Sequence, residues 1–360
     1  MNKMALFICC LLSLSISGTF AQQKEITPLD GKGPGIIELK FEQPPVSGSD
    51  TSRTLQSLVK VQGTGQFCQD GLYLMTHVGD REDIFEKENQ SLIDNPLINR
   101  TWRHCSVFST TTENSVIMGR NWDNQTVGSI IVNLYHPPKG YSSISFTRSI
   151  DMDFGHKDLE RLISSPFENK LLLAPLYAYD GINEHGLVVG VAGNIETAVK
   201  QKNGKELVFI PFLIRKILDQ TKNIDEAVDL VEKYVPFDLD KNSLNSHLFV
   251  VDSSGNSVVL EYVQDQWRKT YGNKSWQVLS TKPIYNVSDA VLRDQCWRYR
   301  SMSETLEKTY GNVDWRAGMK ILHDVTQKGT TWSVVYSLQT KELYFSVYQG
   351  WDTIYHLKAF

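Results

Sequence analysis

The chain has 360 residues, 41% of them hydrophobic and 22% charged, with a formal net charge of −4. That is ordinary globular composition, long enough for one large domain or two modest ones around a sizeable core. The mild acidity gives no electrostatic reason to expect nucleic acid or an anionic membrane as partner.

Lys3, the apolar run Met4–Ile16 and the small-residue end at Thr19-Phe20-Ala21 predict a cleaved export signal over residues 1–21. The run is short for a membrane span, and no later stretch is longer and equally apolar. A periplasmic or secreted product without stable membrane insertion is therefore expected. A lipid anchor on Cys9 or Cys10 is disfavoured, because either residue would interrupt the hydrophobic core of the signal.

Of the five cysteines, Cys9 and Cys10 leave with the signal, and Cys68, Cys105 and Cys296 remain. At most one pair can bridge, so one thiol stays unbridged unless it pairs with another chain. There is no Cys-x-x-Cys spacing and the eight His are scattered, so no metal site is expected.

Residues 22 to about 60 are rich in Gly, Pro, Ser and charge, and predict a poorly ordered leader with one strand at Gly35–Phe41. The run Gly71–Met75 and a helix beginning at Asp83 complete a weakly patterned, propeptide-like segment over 22–104. A catalytic domain is expected at 105–360. It begins with a hairpin, Cys105 onward and Ser115–Met118, and continues with strands at Ser129–Tyr135, Ser143–Ile150 and Leu187–Ala192. The residues Asp180–Gly186 between them predict a polar turn. Helices follow at Leu207–Gln220 and after Asn223, whose side chain with Glu226 makes a capping box. A hairpin at His247–Asp252 and Ser257–Tyr262, a strand at Trp276–Leu279, helices at Trp297–Leu306 and Trp315–Asp324, and a closing hairpin Trp332–Leu338/Leu343–Val347 complete the pattern. Strand blocks around a helical pair indicate α+β, with mostly antiparallel sheets and helices outside.

The chemistry concentrates at Cys105 and at Gly119-Arg120-Asn121-Trp122-Asp123. A hairpin returns the thiol to a cation, Arg120, and a carboxylate, Asp123; a nearby cation favours the thiolate that attacks carbonyls. A buried structural Cys beside a surface ion pair is the plain alternative. A papain-like pairing of Cys105 with His247 is a further one, although a His heading a hydrophobic strand is more often structural.

Together with Asp180-Gly181-Ile182-Asn183-Glu184-His185-Gly186-Leu187, the Cys105 motif resembles the N-terminal-nucleophile (Ntn) hydrolases that act on linear amides. That branch holds choloylglycine hydrolases, penicillin V acylases, acid ceramidase-like amidases and isopenicillin-N acyltransferases. The resemblance covers about residues 105–348. It implies a four-layer αββα sandwich and a catalytic Cys whose own α-amine is the general base, which requires cleavage of the His104–Cys105 bond. It implies that Asp123 orients that amine and that Arg120 favours the thiolate. The oxyanion would be held by the backbone at Gly193 or Asn194. Thr281 stands where the family places an Asn side chain, a departure that removes one amide donor. Arg298 matches a late network Arg, with Arg300 as its competitor. The implied activity is hydrolysis of an N-acylated small molecule through a thioester, with no metal or organic cofactor required. Acyl transfer to an amine, and a non-catalytic small-molecule-binding protein on the same fold, are the alternatives. A homo-oligomer is compatible with all three.

Overall fold

The computed structural model describes residues 24–26, 34–61, 71–95, 104–124, 128–152, 154, 159, 168–199, 204–238 and 243–360. The predicted signal at 1–21 and Cys68 lie outside them.

Among the described residues, two large sheets lie face to face. The first has eight strands in the spatial order Lys24–Ile26, Gly35–Leu39, Thr353–Lys358, Glu342–Val347, Thr330–Ser337, Val116–Asp123, Ser106–Thr111 and Trp276–Leu279. The second has nine: Gln266–Tyr271, Ser257–Val263, Ser243–Val251, Val188–Ala198, Asp180–Asn183, Ser143–Arg148, Ile130–His136, Leu72–Val78 and Val59–Val61. Pairing is antiparallel except at Thr353–Lys358 with Gly35–Leu39 and at Leu72–Val78 with Ile130–His136 in these sheets. Helices Trp297–Lys308 and Trp315–Asp324 cover the outer face of the first sheet, and Asp50–Gln56 and Ile210–Gln220 that of the second. The result is the αββα sandwich that the resemblance implies.

Apolar alternation decides which face each strand buries. Between the sheets an aromatic column crosses from one to the other. Trp122 stacks on Tyr179 at 4.1 Å and on Trp332 at 5.3 Å, and Trp332 stacks on Phe146 at 5.7 Å. This column lies beside the candidate site and makes its floor rigid.

Several elements differ from expectation. In residues 22–104 the strand expected at Gly35–Phe41 is present as Gly35–Leu39, but the weakly patterned segment joins both sheets: Gly35–Leu39 pairs with Thr353–Lys358, and Leu72–Val78 lies between Val59–Val61 and Ile130–His136. Leu72, Tyr73 and Met75 are fully buried. The chain does not end on the Trp332/Leu343 hairpin, because Thr353–Lys358 follows and carries the pairing with the leader. The apolar run before Asp180 is a 3-10 helix, Glu168–Tyr177. Asp180–Asn183 is a buried strand rather than a turn, and the turn is confined to the residues after it. There Gly186 adopts φ +77°, and Asn183 accepts from the amides of His185 and Leu187. Asn183 also donates to the carbonyls of Leu218 and Thr221 at the end of the neighbouring helix. The Asn-Glu-His-Gly string therefore builds a turn and caps a helix. Asn223 caps its helix as predicted, accepting from the Glu226 amide at 2.9 Å.

Candidate active site

Cys105 sits one residue before the strand Ser106–Thr111 and is fully buried. That strand pairs with Val116–Asp123 so that Ser106 lies opposite Asn121 and Val107 opposite Arg120. Alternation then puts Cys105, Arg120 and Trp122 on the face between the sheets, and Ser106, Asn121 and Asp123 on the face toward the helices. Two groups of polar side chains thus approach the start of this strand from opposite sides.

Between the sheets, Arg120 is entirely buried. It donates to the Asp180 carboxylate, to the carbonyls of Tyr179 (2.8 Å) and Val191, and to the Cys105 sulfur at 3.6 Å. Asp180 also accepts from Trp332 Nε1 at 3.0 Å and from the Tyr336 hydroxyl at 2.6 Å. Burial opposes the charge on Arg120, but Asp180 and Cys105 outweigh it and hold the guanidinium pKa above its ordinary value. Burial and the facing Asp180 push the Tyr336 phenol well above its ordinary range, so it stays a neutral donor. Gly190 makes room for this cation: a Cβ there would lie 3.3 Å from Arg120 Cδ and 3.1 Å from Met118 Cε.

On the helix side, Arg298 reaches the strand from Trp297–Lys308 and clasps the backbone around residue 105. Its Nη1 donates to the carbonyls of His104 (3.2 Å) and Cys105 (2.7 Å), to Ser106 Oγ (2.9 Å) and to Asp123 Oδ2 (3.3 Å). Its Nη2 donates to Thr281 Oγ1 at 3.2 Å. Asp123 accepts from Thr330 Oγ1 at 2.6 Å, and its carbonyl takes the His104 amide at 3.1 Å. Burial raises the Asp123 carboxyl to about 7, against the pull of Arg298, Thr330 and Arg120. Arg298 is buried and Arg300 exposed, which decides between the two.

The third side is formed by the strand Val188–Ala198. Its pairing with Ser243–Val251 is regular from Val188 to Gly193 and shifts register before Thr197. A bulge of this kind frees backbone amides from the ladder, and it falls where the oxyanion amide is expected. Asn194 Nδ2 donates to Glu261 at 3.2 Å.

The six expected site residues thus fall into three connected groups: Cys105 with Arg120, Asp123 with Arg298 and Thr281, and Asn194 on the bulged strand. The plain alternative is set aside. Arg120 and Asp123 do not form a surface ion pair; both are buried, on opposite faces, and they pair with Asp180 and Arg298 respectively. Nor does His247 face the thiol in a papain-like pair: it bonds Glu261 and the Ser280 carbonyl. Cys296 is buried and accepts from Ser280 Oγ at 3.2 Å, as expected of a core residue. Sequence reading missed Asp180, Thr330 and Glu261. Asp180 had a signal, an acidic residue in the otherwise apolar stretch Leu171–Ile182, whereas Thr330 had none.

The model of one family, acyl-coenzyme A:6-aminopenicillanic acid acyl-transferase, matches residues 176–357. The chain belongs to that family. The matched residues include Asn194, Thr281 and Arg298, while Cys105, Arg120 and Asp123 precede them. A penicillin V acylase from Pectobacterium atrosepticum is 28% identical over 134 residues, which is 35% of each protein. The chain thus spans about a third of the length of that curated relative. Variants of the conjugated bile acid hydrolase from Clostridium perfringens share the fold, with a TM-score of 0.52 and 13% identity over 71% of this chain and 92% of theirs. A penicillin V acylase from Agrobacterium tumefaciens superposes with a TM-score of 0.49 and 18% identity, over 68% of this chain and 83% of that one. Family and fold together make the chain a member of the Ntn-hydrolase superfamily.

Proposed function

We propose that the chain is an exported cysteine amidase that cuts a linear C–N amide bond of an N-acylated small molecule. The observation that carries this reading is the clasp around residue 105. The thiol meets Arg120 on one face, and on the other Arg298 donates to the carbonyls on both sides of the Cys105 nitrogen and to the Asp123 carboxylate.

The same geometry suits a first, self-directed reaction. Cys105 Sγ attacks the His104 carbonyl carbon, whose oxygen already accepts from Arg298. The Cys105 nitrogen leaves with a proton, and water hydrolyses the resulting thioester to a His104 carboxylate and a free Cys105. The new α-amine has an unperturbed pKa near 8, suited to proton transfer at neutral pH. In turnover the amine takes the thiol proton, the sulfur attacks the substrate carbonyl, and the oxyanion lies against the bulge at Gly193/Asn194 and Thr281. The amine returns the proton to the leaving nitrogen, and water cleaves the acyl-thioester. Thr281 accepts from Arg298, which turns its own hydroxyl proton outward for this use. Nucleophile and base on one residue leave little orientation entropy to lose.

The relatives suggest penicillin V-like and conjugated bile acid-like amides as first substrates. Wild type should release the amine product from one of these, and Cys105→Ala should not; equal turnover by both would remove the thiol from the mechanism. Acyl transfer is a second reading, favoured by the description of the matched family. An added amine that captures the acyl group at the expense of free acid would select it. Export rests on the pattern over residues 1–21, and a secreted product beginning near Gln22 would support it.

A further inference from the structure

His247 and Glu261 have no part in the steps above, yet both are buried next to them. Three adjacent strands bring them together: Ala192 lies opposite His247, and Leu248 opposite Leu260, so that Glu261 is next in register to His247. His247 Nδ1 lies 3.1 Å from Glu261 Oε1, and Nε2 lies 2.8 Å from the Ser280 carbonyl. The ring is thus held at both nitrogens, between a side chain of one strand and the backbone at residue 280. Glu261 also accepts from Asn194 Nδ2 (3.2 Å), from the Ile284 amide (3.1 Å to Oε2) and from the Tyr285 amide at 2.7 Å.

The consequence is geometrical. His247 fixes residue 280 and Glu261 fixes residues 284 and 285, so Thr281 sits on a short arch pinned at both ends. The same carboxylate fixes the Asn194 side chain on the bulged strand. Burial alone would raise the Glu261 carboxyl, but His247 and the two amides outweigh it and hold its pKa below the ordinary value. It therefore remains an acceptor for all its donors.

We propose that Glu261 and His247 are positioning residues that lock the Thr281 arch to the Asn194 bulge, so that both oxyanion donors keep one spacing. This rests on the amidase reading. A tie of this kind acts where charge develops on the substrate oxygen and leaves the nucleophile alone, because preorganised donors contribute mainly in the transition state.

The test compares Glu261→Gln and wild type, using a chromogenic N-acyl anilide for turnover and iodoacetamide for alkylation of Cys105. Glu261→Gln keeps the shape but places a donor against donors. The expected result is a 10- to 100-fold lower kcat, KM within about threefold, and an unchanged alkylation rate. Glu261→Asp should recover part of the kcat. A general loosening of the fold would instead change alkylation and turnover together, and that result would overturn the proposal. Wild-type kcat in Glu261→Gln would also overturn it while leaving the amidase reading intact. A wild type that cleaves no N-acyl substrate would remove both. If Glu261→Gln does not fold, His247→Gln, which loosens the Ser280 end of the arch, has to show the same split between kcat and alkylation.

Discussion

Asp123 makes the folded chain sensitive to pH in a direction opposite to that of most carboxylates. Its carboxyl is raised from 3.8 to about 7, chiefly by burial. Between those values the folded, uncut chain holds a proton that the unfolded chain has released. Stability from this group is fully present below about pH 4 and is lost as pH rises through about 7. Roughly three pKa units at 1.36 kcal/mol each put the loss on the order of 4 kcal/mol. The perturbation is Asp123→Asn in a Cys105→Ala background, which keeps the bond at 104–105 intact and prevents a new ammonium from approaching the carboxylate. Asn keeps the shape of the group and does not titrate. Urea midpoints of Cys105→Ala with and without Asp123→Asn, read every half unit from pH 4 to pH 8, give the difference attributable to Asp123. That difference should move against the Asp123-containing chain by several kcal/mol between about pH 4 and 7 and level off toward pH 8. A constant difference would show that Asp123 titrates normally and would refute its placement in a dry pocket beside Arg298.

Three further outcomes follow from the same geometry. Asp180→Asn leaves the Arg120 guanidinium buried without its counter-ion and should cost about 3–5 kcal/mol, read from urea midpoints; a loss under 1 kcal/mol would contradict the buried pair. Thr281→Ala should lower kcat about 100-fold on a chromogenic N-acyl anilide, while Thr281→Asn should keep turnover within tenfold, because an amide donor also fits there. Cleavage at 104–105 should leave the leader attached, since Leu72–Val78 is an interior strand of its sheet. The two pieces should co-elute on gel filtration and separate only in denaturant, and spontaneous separation in native buffer would contradict the topology.

The segment after Cys105 was legible because its strands alternate cleanly and end in Gly, Pro and Asn turns, and Trp276–Leu279 and Trp315–Asp324 were placed to the residue. Gln266–Tyr271 was not, because Arg268, Lys269 and Thr270 belong to a half-exposed edge strand with no apolar face to read. In the leader the strand beginning at Gly35 was legible, but its place in the sheet was not. Its strands are completed by partners nearly the whole chain away, such as Ile36 opposite Ile354, and local pattern carries no trace of that pairing. In the site, Cys105, Arg120 and Arg298 stood out as motif residues, and the structure gives each a buried polar role. The alternative of an Arg120–Asp123 surface pair was already disfavoured by arithmetic within the sequence. Two residues three apart on one strand point to opposite faces. Their true partners, Asp180 and Arg298, lie 60 and 175 positions away and only the fold brings them in. Glu261 was hidden differently, as one carboxylate in the apolar strand Ser257–Val263, where the donors that justify its burial come from three other segments.

Everything proposed for function depends on Cys105 acquiring a free amine. The most direct measurement is the intact mass of the purified wild-type protein and of Cys105→Ala, with N-terminal sequencing of every species found. The account predicts two wild-type fragments, one ending at His104 and one beginning at Cys105, and a single uncut chain for Cys105→Ala. An amide-cleaving wild type that remains one uncut chain through residues 104–105 would contradict it.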